Sequence, residues 1–263
     1  MKRLGFVLAG GMGKRMGGLR PKVLYEVDGE PMVVRALSAL RLGGAHRLVA
    51  VLSHRCDEVA AALPSDVELV IQARPRGTGS AIVDARHCIT DDNTAVIVGY
   101  GDMPWLNPDS VSRLLEAIED GADAAVLTFE FDDPPHFGRI VRDGAGAFVD
   151  IVEYKDCTPE QRASGELNAG MFAFRSGPLL TAIDRLDDNN AAGELYLTDV
   201  PGKIVAAGGR VACVPAERIE ETLGVNDPPH LHFANQLSAL RQCEELVAVA
   251  DIFYAEATAE EPG

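Results

Sequence analysis

At 263 residues, 47% of them hydrophobic, the chain is long enough for one large α/β domain with an ordinary core. Its 40 acidic residues against 24 basic ones give a formal net charge of −16, which argues against nonspecific nucleic-acid and anionic-membrane binding. There is no stretch of membrane-span length and no secretory leader pattern, and Cys56, Cys88, Cys157, Cys213 and Cys243 form no close pair, so a reduced, cytoplasmic protein without disulfide or zinc framework is expected.

In chain order, short apolar runs alternate with amphipathic ones. Leu4–Ala9 reads as a strand, Met32–Arg41 as a helix, Leu48–Leu52 as a strand, Asp57–Leu63 as a helix and Val67–Ile71 as a strand. Gly79–Cys88 and Pro108–Asp120 read as helices, separated by the strand Ala95–Val98 and followed by the strand Ala124–Phe129. Alternation of this kind implies parallel strands, right-handed crossovers and ligand binding at the carboxyl ends of the strands. After Asp132 the texture changes to a turn-rich loop and two short strands around Gly144 and Gly146, a β-hairpin insertion. A strand at Leu167–Phe174, a helix at Gly193–Ala207 and a strand at Arg210–Pro215 complete the sheet. The expected fold is α/β, a Rossmann-like doubly wound, mostly parallel sheet with helices on both faces. Residues 1–229 form the domain, a closing helix over 230–252 packs on it through Phe233, Leu237, Leu240 and Val247, and 253–263 form a disordered tail.

The stretch Leu8–Leu24 sets four cations, Lys14, Arg15, Arg20 and Lys22, among Gly10, Gly11, Gly13, Gly17 and Gly18. Glycines directly after a buried strand allow a sharp turn and bring backbone N–H groups against a ligand, the arrangement that cradles phosphate. The spacing fits neither usual phosphate fingerprint. Met16 stands where a dinucleotide motif needs its third glycine, and Gly13-Lys14 is followed by Arg15 where a P-loop needs Ser or Thr. Pro21 stiffens the backbone ahead of Lys22, so that a long cationic side chain starts from a fixed point.

Together these residues resemble the signature of the sugar-phosphate nucleotidyltransferases, in which a loop L-A-[AG]-G-x-G-[TK]-R-M leads into P-K-[VA]-L. Here it reads Leu8-Ala9-Gly10-Gly11-Met12-Gly13-Lys14-Arg15-Met16, then Pro21-Lys22-Val23-Leu24. The likeness continues in order through "QARPRGTGSA" (Gln72–Ala81), "YGDMP" (Tyr100–Pro104), "FGRIVRDGAG", "IVEYKD", "ELNAGMF", "GELYLTD" and "GVN" ending at Asn226. It covers Leu4 to about Asp227 and is nearest to the uridylyltransferase half of the bifunctional bacterial enzymes that make UDP-N-acetylglucosamine. Their left-handed β-helix of hexapeptide repeats has no counterpart in this sequence, so neither acetyl transfer nor a β-helix trimer is expected; the oligomeric state is left open.

The resemblance implies a reaction of UTP with a sugar 1-phosphate, assisted by Mg2+, with no nucleic-acid or membrane partner. It assigns Arg15, Lys22 and Asp102 to catalysis, with Asp102 and Asn226 holding the metal. Leu8, Ala9, Gly10, Gly11, Gln72, Gly77, Thr78 and Gly101 would bind the nucleotide. Tyr100, Gly138, Glu153, Asn168, Tyr196 and Thr198 would bind the sugar. Lys14 stands where threonine is more usual and Ser80 where histidine is common. Alternatives are transfer to glucose 1-phosphate, guanylyl transfer of the molybdopterin type, and a nucleotide-sugar sensor without turnover. The i, i+2 spacing of His230 and His232 on a helix points them apart, as solvated groups rather than metal ligands, and Trp105 reads as a packing residue.

Overall fold

The computed structural model describes residues 1–241 apart from 12, 19, 54, 55, 133 and 134. The first half contains β1 (Lys2–Leu8), β2 (Glu26–Val27), β3 (Glu30–Pro31), α1 (Met32–Leu42), β4 (Arg47–Leu52), α2 (Cys56–Ala62), β5 (Glu68–Ile71), α3 (Thr78–Ala85), β6 (Thr94–Tyr100), α4 (Pro108–Glu119) and β7 (Ala124–Glu130). The second half adds β8 (Arg139–Arg142), β9 (Phe148–Val152), α5 (Pro159–Arg162), β10 (Glu166–Arg175), α6 (Ser176–Ile183), α7 (Asp199–Ala206) and β11 (Val211–Pro215), then a helix over 228–241, here α8.

The main sheet of the described residues runs β11-β7-β10-β6-β1-β4-β5, with the β8–β9 hairpin attached through β10. β1, β4, β5 and β6 are mutually parallel, as is the β7–β11 pair, whereas β10 runs antiparallel between β6 and β7. Its reversal has a topological cause. The chain leaves β7 at the carboxyl end, builds the hairpin there, and re-enters the sheet from that end with no crossover helix to carry it to the other.

Two apolar layers cover the faces of the sheet. One packs α1 and α4 through Val33, Leu37, Leu40, Val111, Leu114 and Ile118; the other packs α3, α6 and α7 through Ile82, Leu179, Ile183, Val200 and Ile204. Helix α4 shows how the sequence fixes its element. Asn107 accepts the Asp109 N–H at 3.0 Å as N-cap, Pro108 occupies the first turn, and Val111, Leu114, Leu115 and Ile118 recur on one buried face. Loss of such a cap costs about 1 kcal/mol.

Three expectations need correction. The helix drawn from Gly193 begins only at Asp199, because 193–198 is a turn-rich segment bound to the glycine loop before α3: the Leu195 N–H reaches the Arg76 carbonyl at 2.7 Å and the Gly79 N–H reaches the Leu195 carbonyl at 2.8 Å. Helices α5 and α6 had not been anticipated; they are only four and eight residues long, too short to show a periodic stripe. On α8, Phe233 and Leu240 are 48% and 61% exposed, whereas Leu237 packs as expected, joined by Leu231, Ala234 and Ser238. The surface that receives α8 is a cluster of Val27, Met32, Trp105 and Val225. The calls on 242–252 of the closing helix and on the 253–263 tail lie outside the described residues. Trp105 is buried between the Arg35 and Arg241 guanidinium groups, 5.1 and 4.7 Å from its ring, as a packing residue. Among the described residues no helix is long and apolar enough to cross a membrane.

Candidate active site

Strands β1 and β6 lie side by side, and their carboxyl ends release the two loops that carry most of the expected residues. The Gly101 N–H donates to the Leu8 carbonyl at 3.0 Å and the Ala9 N–H to the Val51 carbonyl at 2.9 Å, so both loops start in register. A side chain at Gly101 would meet Ala9 Cβ at 3.2 Å and Val23 Cγ1 at 3.3 Å. Gly13 has φ +60°, and a Cβ there would stand 2.7 Å from Lys22 Cβ. The glycine loop therefore folds directly over the lysine, which a larger residue would prevent. Lys22 opens a short helical turn whose Val23 and Leu24 are buried, fixing the base of its side chain.

The Lys22 ammonium pairs with the Asp102 carboxylate and donates to Asn226 Oδ1 at 2.9 Å. Arg15 Nη2 reaches the same Asn226 oxygen at 3.2 Å. Asn226 arrives from far along the chain because the Val225 N–H donates to the Asp102 carbonyl at 2.9 Å, clamping the Gly224–Asn226 segment to the end of β6. Two cations and two oxygen ligands thus converge at one strand end.

Beside them, Gln72 follows β5 and is 7% exposed. Gly77 has φ +101°, and a Cβ there would lie 2.6 Å from the Leu195 carbonyl oxygen, so the loop closes tightly on the 193–198 segment. Thr78 starts α3, and its hydroxyl accepts the Leu197 N–H at 3.0 Å.

Toward the hairpin the groups change character. Thr198 donates to Glu153 Oε1 at 2.9 Å, and burial pushes the Glu153 carboxyl above its ordinary pKa, with the Thr198 bond opposing that shift. Asn168 is buried; its N–H donates to the Gly138 carbonyl at 2.9 Å and its Oδ1 accepts the Gly170 N–H at 3.0 Å. The pairing of β10 with β7 shifts register between Asn168 and Phe172, a bulge in which Gly170 takes φ +79° against the Tyr100 ring. Burial raises the Tyr100 phenol pKa strongly, keeping it a neutral donor. Tyr196 is half buried on the segment leading into α7, its phenol also pushed up by burial.

A cleft of about 230 Å³ is lined by Leu8, Gly10, Gly11, Lys22, Gln72, Gly77, Thr78, Tyr100 and Asp102, together with Val23, Ala81 and Glu194. The structure therefore brings the expected nucleotide-side residues to one wall, with Ala9 and Gly101 directly beneath. Glu153 and Asn168 stand at the adjoining hairpin end with Gly138, where a Cβ would be 3.7 Å from Asn168 Cβ and 3.8 Å from Glu153 Oε2. Sequence reasoning did not single out Glu194, which sits inside a matched motif, nor Asp84, whose spacing of twelve from Gln72 leaves no motif. A larger hollow of about 530 Å³ beneath the hairpin contains Arg142 and Glu166, which pair with each other at 2.6 Å, and none of the expected site residues line it. His230 and His232 are exposed, and the His230 ring contacts Asp227 at 3.2 Å.

A strand-end aspartate facing a cationic glycine loop on a mostly parallel sheet defines a nucleotidyltransferase fold and site. Residues 5–194 match the MobA-like NTP transferase domain, and the chain belongs to that family. Among individual proteins it is similar to the "Bifunctional protein GlmU" of Sorangium cellulosum, 40% identical over 240 residues that cover 88% of this chain and 50% of the relative. The protein of the same name from Kineococcus radiotolerans is 43% identical over 230 residues, covering 86% of this chain and 47% of the relative. The chain thus spans about half the length of these curated relatives. In three dimensions it resembles a Bacillus anthracis structure provisionally named as a glucose-1-phosphate thymidylyltransferase, with a TM-score of 0.73, 21% identity, and coverage of 89% of this chain and 94% of the other. That likeness shows the fold alone.

Proposed function

We propose that the protein forms UDP-N-acetylglucosamine and pyrophosphate from UTP and N-acetylglucosamine 1-phosphate. The observation that carries this reading is the convergence of Arg15 and Asn226 on Lys22 and Asp102, which line the cleft together with the glycine loop and Gln72. Such a reaction needs no general base. A sugar-phosphate oxygen, already anionic, attacks the α-phosphorus in line; a new O–P bond forms, the bond to the β-phosphate oxygen breaks, and pyrophosphate leaves with the electron pair. The protein's task is to bring two polyanions together and offset the charge on the leaving group, which Lys22 and Arg15 do from fixed positions.

Asp102 and Asn226 also suit Mg2+. Their oxygens already share one positive charge, the Lys22 ammonium, and a carboxylate plus a neutral amide oxygen leaves room for the phosphates and waters that magnesium keeps. Bound there, the ion would supply charge neutralisation at the phosphates. At the hairpin end, the Glu153 carboxylate is fitted to accept from sugar hydroxyls, and the Asn168 amide to pair with an N-acetyl group. A buried amide and a half-buried carboxylate of this kind discriminate against a sugar lacking the matching donor.

The test is pyrophosphate release by the purified protein with Mg2+, UTP and N-acetylglucosamine 1-phosphate, against glucose 1-phosphate and other nucleotides. Turnover should be greatest with the first pair and vanish in Asp102→Ala. Absence of release with every pair, or undiminished release in the variant, refutes the assignment.

A further inference from the structure

The amide nitrogen of Gln72 lies 3.0 Å from an Asp84 carboxylate oxygen and 3.2 Å from the Ser80 hydroxyl. Which end of an amide points where is decided by its neighbours' hydrogen-bonding capacity, and here both neighbours have no choice. A carboxylate only accepts. The single Ser80 proton goes to the Gly77 carbonyl at 2.7 Å, since a carbonyl cannot donate, and the Arg76 N–H donates to Ser80 at 2.9 Å. What Ser80 has left for Gln72 is a lone pair, so it too requires a donor. Both contacts demand the Gln72 NH2 group, and the Gln72 carbonyl oxygen is turned the other way, toward the glycine loop. A Cβ on Gly10 would stand 3.6 Å from that oxygen.

We propose that Asp84 and Ser80 are positioning residues that lock the Gln72 amide with its oxygen facing the cleft, so that the base is read by an acceptor. An acceptor at this place selects bases whose ring edge carries N–H beside a carbonyl, as uracil, thymine and guanine do. Set against the ring nitrogen, it disfavours cytosine and adenine, which carry a bare lone pair there and offer a donor only at the exocyclic amino group. A flip of the amide to accommodate cytosine would set the Gln72 oxygen against the Asp84 carboxylate and the Ser80 lone pair at once, and an unmatched polar group in a buried site costs large factors in affinity. Ser80 stands where the family pattern commonly has histidine. The inference rests on the nucleotide site proposed above.

The test is equilibrium binding of UTP and CTP, in the presence of Mg2+, to the full-length protein and to Asp84→Asn, Asp84→Leu, Asp84→Lys and Ser80→Ala. The wild type should prefer UTP by more than about 100-fold. Asp84→Asn, which can still offer a carbonyl to the Gln72 NH2, should keep that preference. Asp84→Lys puts a donor in its place and should lower the UTP/CTP ratio at least tenfold, by weaker UTP and stronger CTP binding together. Asp84→Leu and Ser80→Ala should fall between, and they read the same ratio if the lysine variant does not fold. A merely structural role would weaken both nucleotides equally and leave the ratio unchanged. An unchanged ratio in Asp84→Lys and Asp84→Leu, or wild-type binding of CTP as tight as UTP, overturns the inference while nucleotidyl transfer stands. Failure of the wild type to bind any nucleotide overturns both.

Discussion

At the glycine-loop end of the cleft the side chains are cations held over glycine backbone, Lys22 and Arg15 against Gly11 and Gly13, whereas at the hairpin end they are a carboxylate, an amide and hydroxyls, Glu153, Asn168, Thr198 and Tyr100. The first end handles charge and the second handles shape and hydrogen bonds. Their construction differs in the same way. The backbone of the loop end rests on consecutive residues after one parallel strand, with Lys22 and Arg15 meeting Asp102 and Asn226 from distant segments. The hairpin end is assembled from β8, β9, β10 and the segment before α7, and each of its groups depends on packing among distant pieces of chain. Under the proposed reaction an acidic protein would hold two polyanions because charge is screened over about 8 Å at physiological salt, while the two cations would act at contact distance.

If the division is right, Lys22→Met should break catalysis itself, lowering kcat by about a thousandfold or more with little change in sugar KM, as loss of a preorganised charge in a closed site does. Circular dichroism would confirm that the fold persists. A similar loss appearing mainly in sugar KM would erase the distinction between the two ends. Glu153→Gln should do the opposite, raising the KM for the sugar phosphate by about ten- to a hundredfold while UTP binding is unchanged, because a hydrogen bond to a charged acceptor is worth about 1.5–3 kcal/mol. Calorimetry of UTP binding to that variant is the sharper half of the experiment.

The smallest effect concerns the acidic wall behind the hairpin. Burial above all, and then the neighbouring carboxylates Asp150, Asp187 and Glu153, raise the Asp199 pKa to about 6, against the pull of Lys203. A folded-state value above the unfolded one means that between about pH 4 and 6 the folded protein keeps a proton the unfolded chain has lost. Stability from this group is full below the unfolded pKa and is lost as pH rises through 6. Asp199→Asn removes that loss, so its thermal midpoint should match the wild type near pH 4 and exceed it by about 2 °C at pH 7.5. A constant difference across the range would show that burial does not tune this acid.

The glycine loop was legible in the sequence because its constraint is local. Gly13 and Gly77 hold positive φ with no room for a Cβ, and such demands are written in residue identity at single positions. The strand-end placement of Asp102 was legible for a like reason, since an apolar run followed by Tyr-Gly-Asp marks where a buried strand meets solvent. Asn226 was reached only by resemblance, because nothing near it in the chain announces the Val225 bond to the end of β6. The bulge at Gly170 was not read from the strand Leu167–Phe174, and its consequence, Asn168 turned beside Gly138, depends on β8 lying alongside. Phe233 and Leu240 mislead on α8, where helical periodicity marks an apolar stripe but the receiving surface takes the face of Leu231, Ala234 and Leu237.

By itself the sequence determined the alternation of the main-sheet strands with α1–α4, the glycine-lined turn and the family to which the chain belongs, all of which follow from residue identity and periodic apolarity acting over a few residues. Tertiary structure alone decided the reversed direction of β10, the meeting of Lys22 with Asn226 across most of the chain, and the outward orientation of the Gln72 oxygen. The physical reason is that hydrogen-bond partners and packing surfaces are supplied by segments far apart in sequence. Which of several locally acceptable arrangements survives is settled only when those segments close on one another.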